Sequence, residues 1–176
     1  ATTLLTKRTL NDSTIAVTVG ARKGTYKDMP ANRRYTLKLV ASAVPASVQI
    51  DGAEASYAYD GNNLSVIIDI PETDCAKEKT VTIAFPKDAA PVADGLIGKF
   101  RHIQQGCVAL KSSNPGFVFN EQLGTMESTG VAISYAPQEA EQRIEVFRHN
   151  YANLKQVLVE SGMEEAEADK FIQKAY

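Results

Sequence analysis

A chain of 176 residues, 44% hydrophobic and 23% charged, holds enough apolar material for one ordinary folded domain, or for a domain with an appendage. No apolar run reaches the roughly 18 residues of a membrane span, and no basic-then-apolar leader opens the chain. Neither a membrane partner nor a surviving signal peptide is therefore expected, and the compartment, cytoplasmic or exported, stays open.

Residue 1 is alanine, which fits processing, cloning or excision from a longer protein. The net charge of −2 hides an asymmetry: residues 1–40 carry Lys7, Arg8, Arg22, Lys23, Lys27, Arg33, Arg34 and Lys38 against only Asp12 and Asp28. Such a basic face suits an acidic neighbouring part of the same molecule. No stacking aromatics alternate with these bases, as a binder of single-stranded nucleic acid requires, so nucleic acid is not an expected partner.

Residues 1–86 read as β structure. Alternating apolar positions mark strands at Thr2–Thr6, Thr14–Val19, Arg34–Ala41, Ser47–Ile50, Ala53–Tyr59, Leu64–Ile70 and Thr80–Phe85. Asp51-Gly52 and Asp60-Gly61-Asn62-Asn63 supply the residues that tolerate positive φ in tight turns. Seven short strands joined by polar turns predict a small antiparallel β-sandwich, immunoglobulin-like or related, over residues 1–88, and a mainly β fold class.

Residues 87–93, with Pro91, read as a linker. The period then changes, and residues 89–176 are expected to form a helical C-terminal appendage of three to four helices. Leu96, Phe100, Ile103, Cys107 and Leu110 repeat at helical spacing, with Asp94 as N-cap. Phe117–Tyr135 is ambiguous: Phe119, Leu123 and Met126 fit a helical face, whereas Gly124 and Gly130 oppose a long helix and Val131, Ile133 and Tyr135 alternate like a short extended piece. Pro137 suits a first helical turn, Ile144, Phe147, Tyr151, Leu154 and Leu158 form one stripe, and Gly162 is a stop. A last helix is expected from about Met163 to Ala175.

Gly20-Ala-Arg-Lys-Gly-Thr looks superficially like a phosphate loop. Only three residues separate its glycines, Lys23 precedes the second, and no helix follows, so nucleotide binding is not expected. His102 and His149 lack a His or Cys neighbour at ligand spacing, and Cys75 and Cys107 form no metal-type pattern. No metal or cofactor site is expected, and the cysteines read as buried free thiols. The turn aspartates Asp51 and Asp60 read as turn formers rather than a glycosidase pair, which must face each other across a sugar. Tyr57 and Tyr59, followed by Asp60 and Asn62, form a candidate sugar platform, with ordinary strand aromatics as the alternative.

The run Gly20-Ala-Arg-Lys-Gly-Thr-Tyr-Lys-Asp-Met-Pro-Ala-Asn-Arg-Arg-Tyr-Thr-Leu resembles the distal C-terminal β-sandwich of glycoside hydrolase family 31, which contains α-glucosidases and α-xylosidases. The pattern there is Arg-x-Gly-Ser-aromatic-x-Gly-Met, a spacer, then Arg and an aromatic. Arg22, Gly24, Tyr26, Met29, Arg34 and Tyr35 take those places, with Thr25 for the usual Ser and Asp28 for the usual Gly. Pro45–Gly52 resembles the family's next strand and turn, and Thr80–Pro86 its closing strand. The similarity spans roughly residues 1–88.

The resemblance implies a domain that does no chemistry itself. The family's Asp nucleophile and Asp acid/base lie on a separate (β/α)₈ barrel, so no catalytic residue transfers to this chain. It implies that Arg22, Lys23, Gly24, Tyr26, Met29 and Arg34 form an interdomain-contact loop, whose partners would be the catalytic barrel and the neighbouring β-domain. Two other functions stand beside this one: a carbohydrate-binding module using Tyr57 and Tyr59, and a protein-interaction module acting through the helical tail.

Overall fold

The computed structural model describes residues 1–89 and 92–174. The expected linker residue Pro91 and the end of the last expected helix, Ala175, lie outside the described residues. The chain divides into two compact units: residues 1–59 with 65–90, and residues 60–64 with 91–176.

The first unit carries two antiparallel sheets. Strands β1 (Leu5–Asn11), β2 (Thr14–Val19), β4 (Ser47–Ile50), β5 (Ala53–Glu54) and β8 (Lys79–Ala84) form one, in the order β1-β2-β8-β4-β5. Strands β3 (Asn32–Leu39), β6 (Ala58–Asp60) and β7 (Ser65–Asp74) form the other, in the order β3-β7-β6. Alternation decides which side is buried. Val66, Ile68 and Ile70 on β7, Val81 and Ile83 on β8, and Val17 and Val19 on β2 are the core, whereas Asp69 between two of them is exposed.

The expected strand Ala53–Tyr59 is in fact two strands in different sheets, interrupted at Ala55–Tyr57. The chain thus passes from one sheet to the other within this stretch. The first strand also lies later than expected, at Leu5–Asn11 rather than Thr2–Thr6. None of its residues is buried, so alternation left no mark there and pairing with β2 alone defines it. Strand β7 continues past Pro71. Register places Arg33 opposite Thr73 and Tyr35 opposite Ile70, so Arg34 faces both Pro71 and Glu72 in a bulge. A bulge is where a strand tolerates a residue with no N–H to donate.

In the second unit the helices are α1 (Leu96–Ser113), α2 (Glu121–Tyr135), α3 (Ala140–Ala152), α4 (Leu154–Glu160) and α5 (Glu165–Gln173), with a 3₁₀ turn at Pro137–Glu139 before α3. Helix exceeds strand over the described residues, 38% against 28%, so the class is mixed α and β rather than mainly β. Among the described residues five helices replace the three to four expected, for two reasons. Phe117–Tyr135 is not partly extended: Asn120 caps a helix there, its Oδ1 accepting from the Leu123 N–H at 2.9 Å. The stripe from Ile144 to Leu158 is broken at Asn153, whose Nδ2 donates to the His149 carbonyl at 2.9 Å.

Leu96, Phe100, Ile103 and Cys107 of α1 are buried together with Leu123, Met126 and Ile133 of α2 and Phe147 of α3. The rings of Phe100 and Phe147 meet edge-on at 4.5 Å between centroids. The N-cap of α1 is Gly95, at φ 83°, rather than Asp94, whose carboxylate pairs with Arg148 at 2.9 Å. Helix α4 stops at Gly162, as expected. With φ at 89° there, the Gly162 N–H reaches the Val159 carbonyl and the Met163 N–H the Leu158 carbonyl. This is a Schellman ending.

Candidate functional site

The loop between β2 and β3 is built from its ends inward. The Gly20 N–H donates to the Leu4 carbonyl at 2.8 Å, and Thr2 and Lys23 exchange two backbone bonds of 2.8 Å each. On the other side, the Arg22 N–H donates to the Cys75 carbonyl, and the Cys75 N–H to the Ala31 carbonyl. The two limbs of the loop are thus fixed by backbone bonds that any sequence could make.

Side chains then close it. Arg22 Nη1 donates to the Pro30 carbonyl at 2.5 Å, spanning the mouth of the loop. Arg33 Nη2 donates to the Tyr26 hydroxyl at 3.3 Å. Two residues take left-handed conformations, Gly24 at φ 83° and Asp28 at φ 58°. Only a few residue types accept such a bend: glycine freely, Asp and Asn with local side-chain compensation.

Behind the loop, Tyr35 and Cys75 touch. Burial first, and then the Cys75 thiol beside it, hold the Tyr35 phenol above its ordinary value, while Arg33 and Arg22 pull the other way. Cys75 is free and buried.

Of the six residues proposed for the contact loop, Arg22 serves the loop itself, Met29 is half-buried, and Lys23, Gly24, Tyr26 and Arg34 are exposed. The outer surface of the loop therefore carries Lys23, Thr25, Tyr26, Lys27 and one acid, Asp28, with Arg34 alongside on the bulge of β3. It combines several cations with one aromatic ring that is 49% exposed. Chemically, this can grip an acidic surface or stack on a flat one. It contains no nucleophile paired with a base.

The four residues of the sugar platform are placed differently from what the platform needs. Tyr59 is 5% exposed and its hydroxyl donates to the Ser42 carbonyl at 2.6 Å. Tyr57 is half-buried, with its hydroxyl on the Pro45 carbonyl at 2.8 Å. The rings do not form an exposed pair. Asp60 and Asn62 belong to the second unit. The Asp60 carboxylate accepts from the Asn62 and Asn63 N–H groups and from Asn63 Nδ2, and Asn62 Oδ1 accepts from Gln104 Nε2 at 2.7 Å.

The histidines stand apart. His102 Nδ1 lies 2.8 Å from the Tyr151 hydroxyl and Nε2 lies 3.0 Å from the Phe171 carbonyl, while His149 is exposed. A carbonyl only accepts, so Nε2 carries the proton and, in the neutral ring, the Tyr151 hydroxyl donates to Nδ1.

Sequence reading missed one feature of the second unit, an open cleft of about 490 Å³ lined by Cys107, Val108, Lys111, Ser112, Phe119 and Glu127. Lys111 Nζ sits 4.6 Å from the Phe119 ring centroid. Burial, and after it the Glu127 carboxylate, push the Cys107 thiol up to about 12, so it stays protonated at neutral pH. The i, i+4 spacing of Cys107 and Lys111 was the available signal for this shared face.

Among the described residues no group of three His, Cys, Asp or Glu side chains is placed to hold a metal ion. Among them, too, no helix is long and apolar enough to cross a membrane. No protein-family model matches this chain, and no curated protein matches it at a significant level.

Proposed function

We propose that this chain is a non-catalytic accessory domain, with a helical appendage, from the C-terminal region of a glycoside hydrolase family 31 enzyme of the α-glucosidase or α-xylosidase type. The observation that carries the reading is the backbone at Asp28. The family's pattern has glycine at that place, and Asp28 takes φ 58°, the bend that glycine serves. The residue differs, but it takes a bend that glycine adopts without cost, which supports the resemblance. The run that resembles the family's next strand and turn behaves alike: it ends in Asp51 and Gly52, at φ 50° and 82°.

In this reading the two antiparallel sheets are the layers of a small sandwich, immunoglobulin-like or related. The loop bearing Arg22, Lys23, Gly24, Tyr26, Met29 and Arg34 meets the catalytic barrel and the neighbouring β-domain. Arg22 holds the loop in shape through Pro30, and Lys23, Tyr26 and Arg34 make the contact. The Asp nucleophile and Asp acid/base belong to the barrel.

The reading frame upstream of Ala1 tests this directly. A (β/α)₈ barrel with its two aspartates encoded in frame is the expected result, and an unrelated upstream domain or an immediate start codon overturns the proposal. The purified chain is also expected to release no nitrophenol from aryl α-glucosides or α-xylosides beyond a mock preparation.

A further inference from the structure

Strand β1 ends the five-stranded sheet, and all seven of its residues are exposed. Register places Leu5, Lys7 and Thr9 beside Val19, Val17 and Ile15 of β2. Val17 and Val19 are buried, so this is the core side of the sheet, yet Leu5 is 63% exposed. The core layer stops at β2. On the other side, Leu10 is 56% exposed.

Among the described residues no strand pairs with the outer edge of β1. The Gly20 N–H bonds the Leu4 carbonyl, which makes Leu4–Gly20 a hydrogen-bonded pair. Pairs alternate along an antiparallel ladder, so Thr6 and Arg8 also turn their backbone groups to β2. The N–H and C=O groups of Leu5, Lys7 and Thr9 then point away from the sheet. They form a template for one more strand.

Charge selects among the possible strands. A second copy of β1 pairing antiparallel about its centre would set Arg8 of one copy opposite Arg8 of the other, and pairing about Lys7 would set Lys7 opposite Lys7. Like charges directly opposite are destabilising. A strand with acidic residues opposite Lys7 and Arg8, and apolar ones opposite Leu5 and Leu10, reverses the sign of that interaction. We propose that the free edge of β1 is a docking site for an extended protein segment with two consecutive acidic residues flanked by apolar ones, added to the sheet as a sixth strand. The site does not depend on the loop between β2 and β3, so its success or failure is separable from the function proposed above.

The probe is the capped hexapeptide Val-Thr-Glu-Glu-Thr-Val, which reads the same in both directions and so can pair in either. Its counterpart is Val-Thr-Lys-Lys-Thr-Val. Titrated into the full ¹⁵N-labelled chain, the acidic peptide is expected to give saturable shifts at the amides of Leu5, Lys7 and Thr9. The basic peptide should bind at least tenfold more weakly. The double variant Lys7→Glu/Arg8→Glu should fold, since both side chains are exposed, and should exchange the preference between the two peptides. A Thr9→Pro variant, which removes an outward N–H, should weaken both. Absence of saturable shifts, shifts confined to other residues, or equal binding of the two peptides overturns the proposal. So does a dimer in sedimentation that Thr9→Pro dissociates, which would make a second copy the occupant.

Discussion

The ring of Phe171 in α5 fills the space in which Gly106 of α1 would carry a side chain. A Cβ built at position 106 lies 2.6 Å from Phe171 Cε2. One turn earlier on α1, His102 Nε2 donates to the Phe171 backbone carbonyl at 3.0 Å. The same short stretch of α1 therefore receives α5 twice, once through a missing side chain and once through a ring N–H. Phe171 is 6% exposed as a result.

Replacing Gly106 by alanine should destabilise the helical unit, although alanine is the better helix former. Overpacking costs about 1–3 kcal/mol, against a propensity gain of about 1 kcal/mol. Gly124 in α2 is the control: nothing lies within 4 Å of a Cβ built there. Gly124→Ala should stabilise by roughly 0.5–1 kcal/mol. Urea unfolding followed by circular dichroism at 222 nm reads both. In a Phe171→Ala background the penalty of Gly106→Ala should vanish, and its persistence there would show that the ring is not its cause.

These glycines also explain where sequence reading succeeded and failed. Val81 and Ile83, and Val66, Ile68 and Ile70, were legible because one-sided burial imposes period two, and the structure buries all five; Leu64, expected on the same stripe, is buried too but lies in the turn before β7 at φ 44°. Gly130 misled because a glycine in a helix reads as a breaker. Here it lets the 60–64 turn approach α2: a Cβ at 130 would lie 2.9 Å from the Asn62 Cα, and the Gly61 N–H donates to Ser134 Oγ at 2.8 Å. That need arises from residues seventy positions away, and no local pattern carries it. The contact loop was legible in outline, through its glycines and flanking strands. The bond from Arg22 to the Pro30 carbonyl, which separates a residue shaping the loop from those left on its surface, was not.

Cys107 links burial to alkaline stability. Its thiol rises from an ordinary 9.0 to about 12, through burial first and the Glu127 carboxylate second. Between those values the unfolded chain loses the proton while the folded one keeps it. A group raised in the fold stabilises fully below its unfolded value, and that contribution is lost as pH rises toward the folded value. The urea midpoint of the helical unit should thus fall between pH 9 and 11, and Cys107→Ala should flatten this slope relative to the parent chain. Alkylation offers a second readout. At pH 8 the native thiolate fraction is roughly a thousandfold below that of an ordinary thiol. Iodoacetamide should therefore label Cys107 only after urea is added, and rapid labelling of the native chain would contradict the burial argument.

Asp28 puts the loop geometry to a similar test. At φ 58° it holds a conformation that costs roughly 1–2 kcal/mol for most L-residues. Asp28→Gly should leave stability equal or raised, because the lost strain offsets the added freedom of the unfolded chain. Asp28→Val should lower it by about 1–2 kcal/mol, since a β-branched residue fits the left-handed region worst. The side chain is exposed, so neither variant disturbs a core. Amide exchange of the strand residues reports unfolding of the first unit, and exchange of the loop amides reports the loop. In Asp28→Val, faster exchange should appear at Arg22 and Lys23, whose N–H groups donate to the Cys75 and Thr2 carbonyls, and at Cys75, whose N–H donates to Ala31. A valine variant as stable as the parent, with unchanged exchange at these amides, would mean that the bend at 28 does not shape the loop.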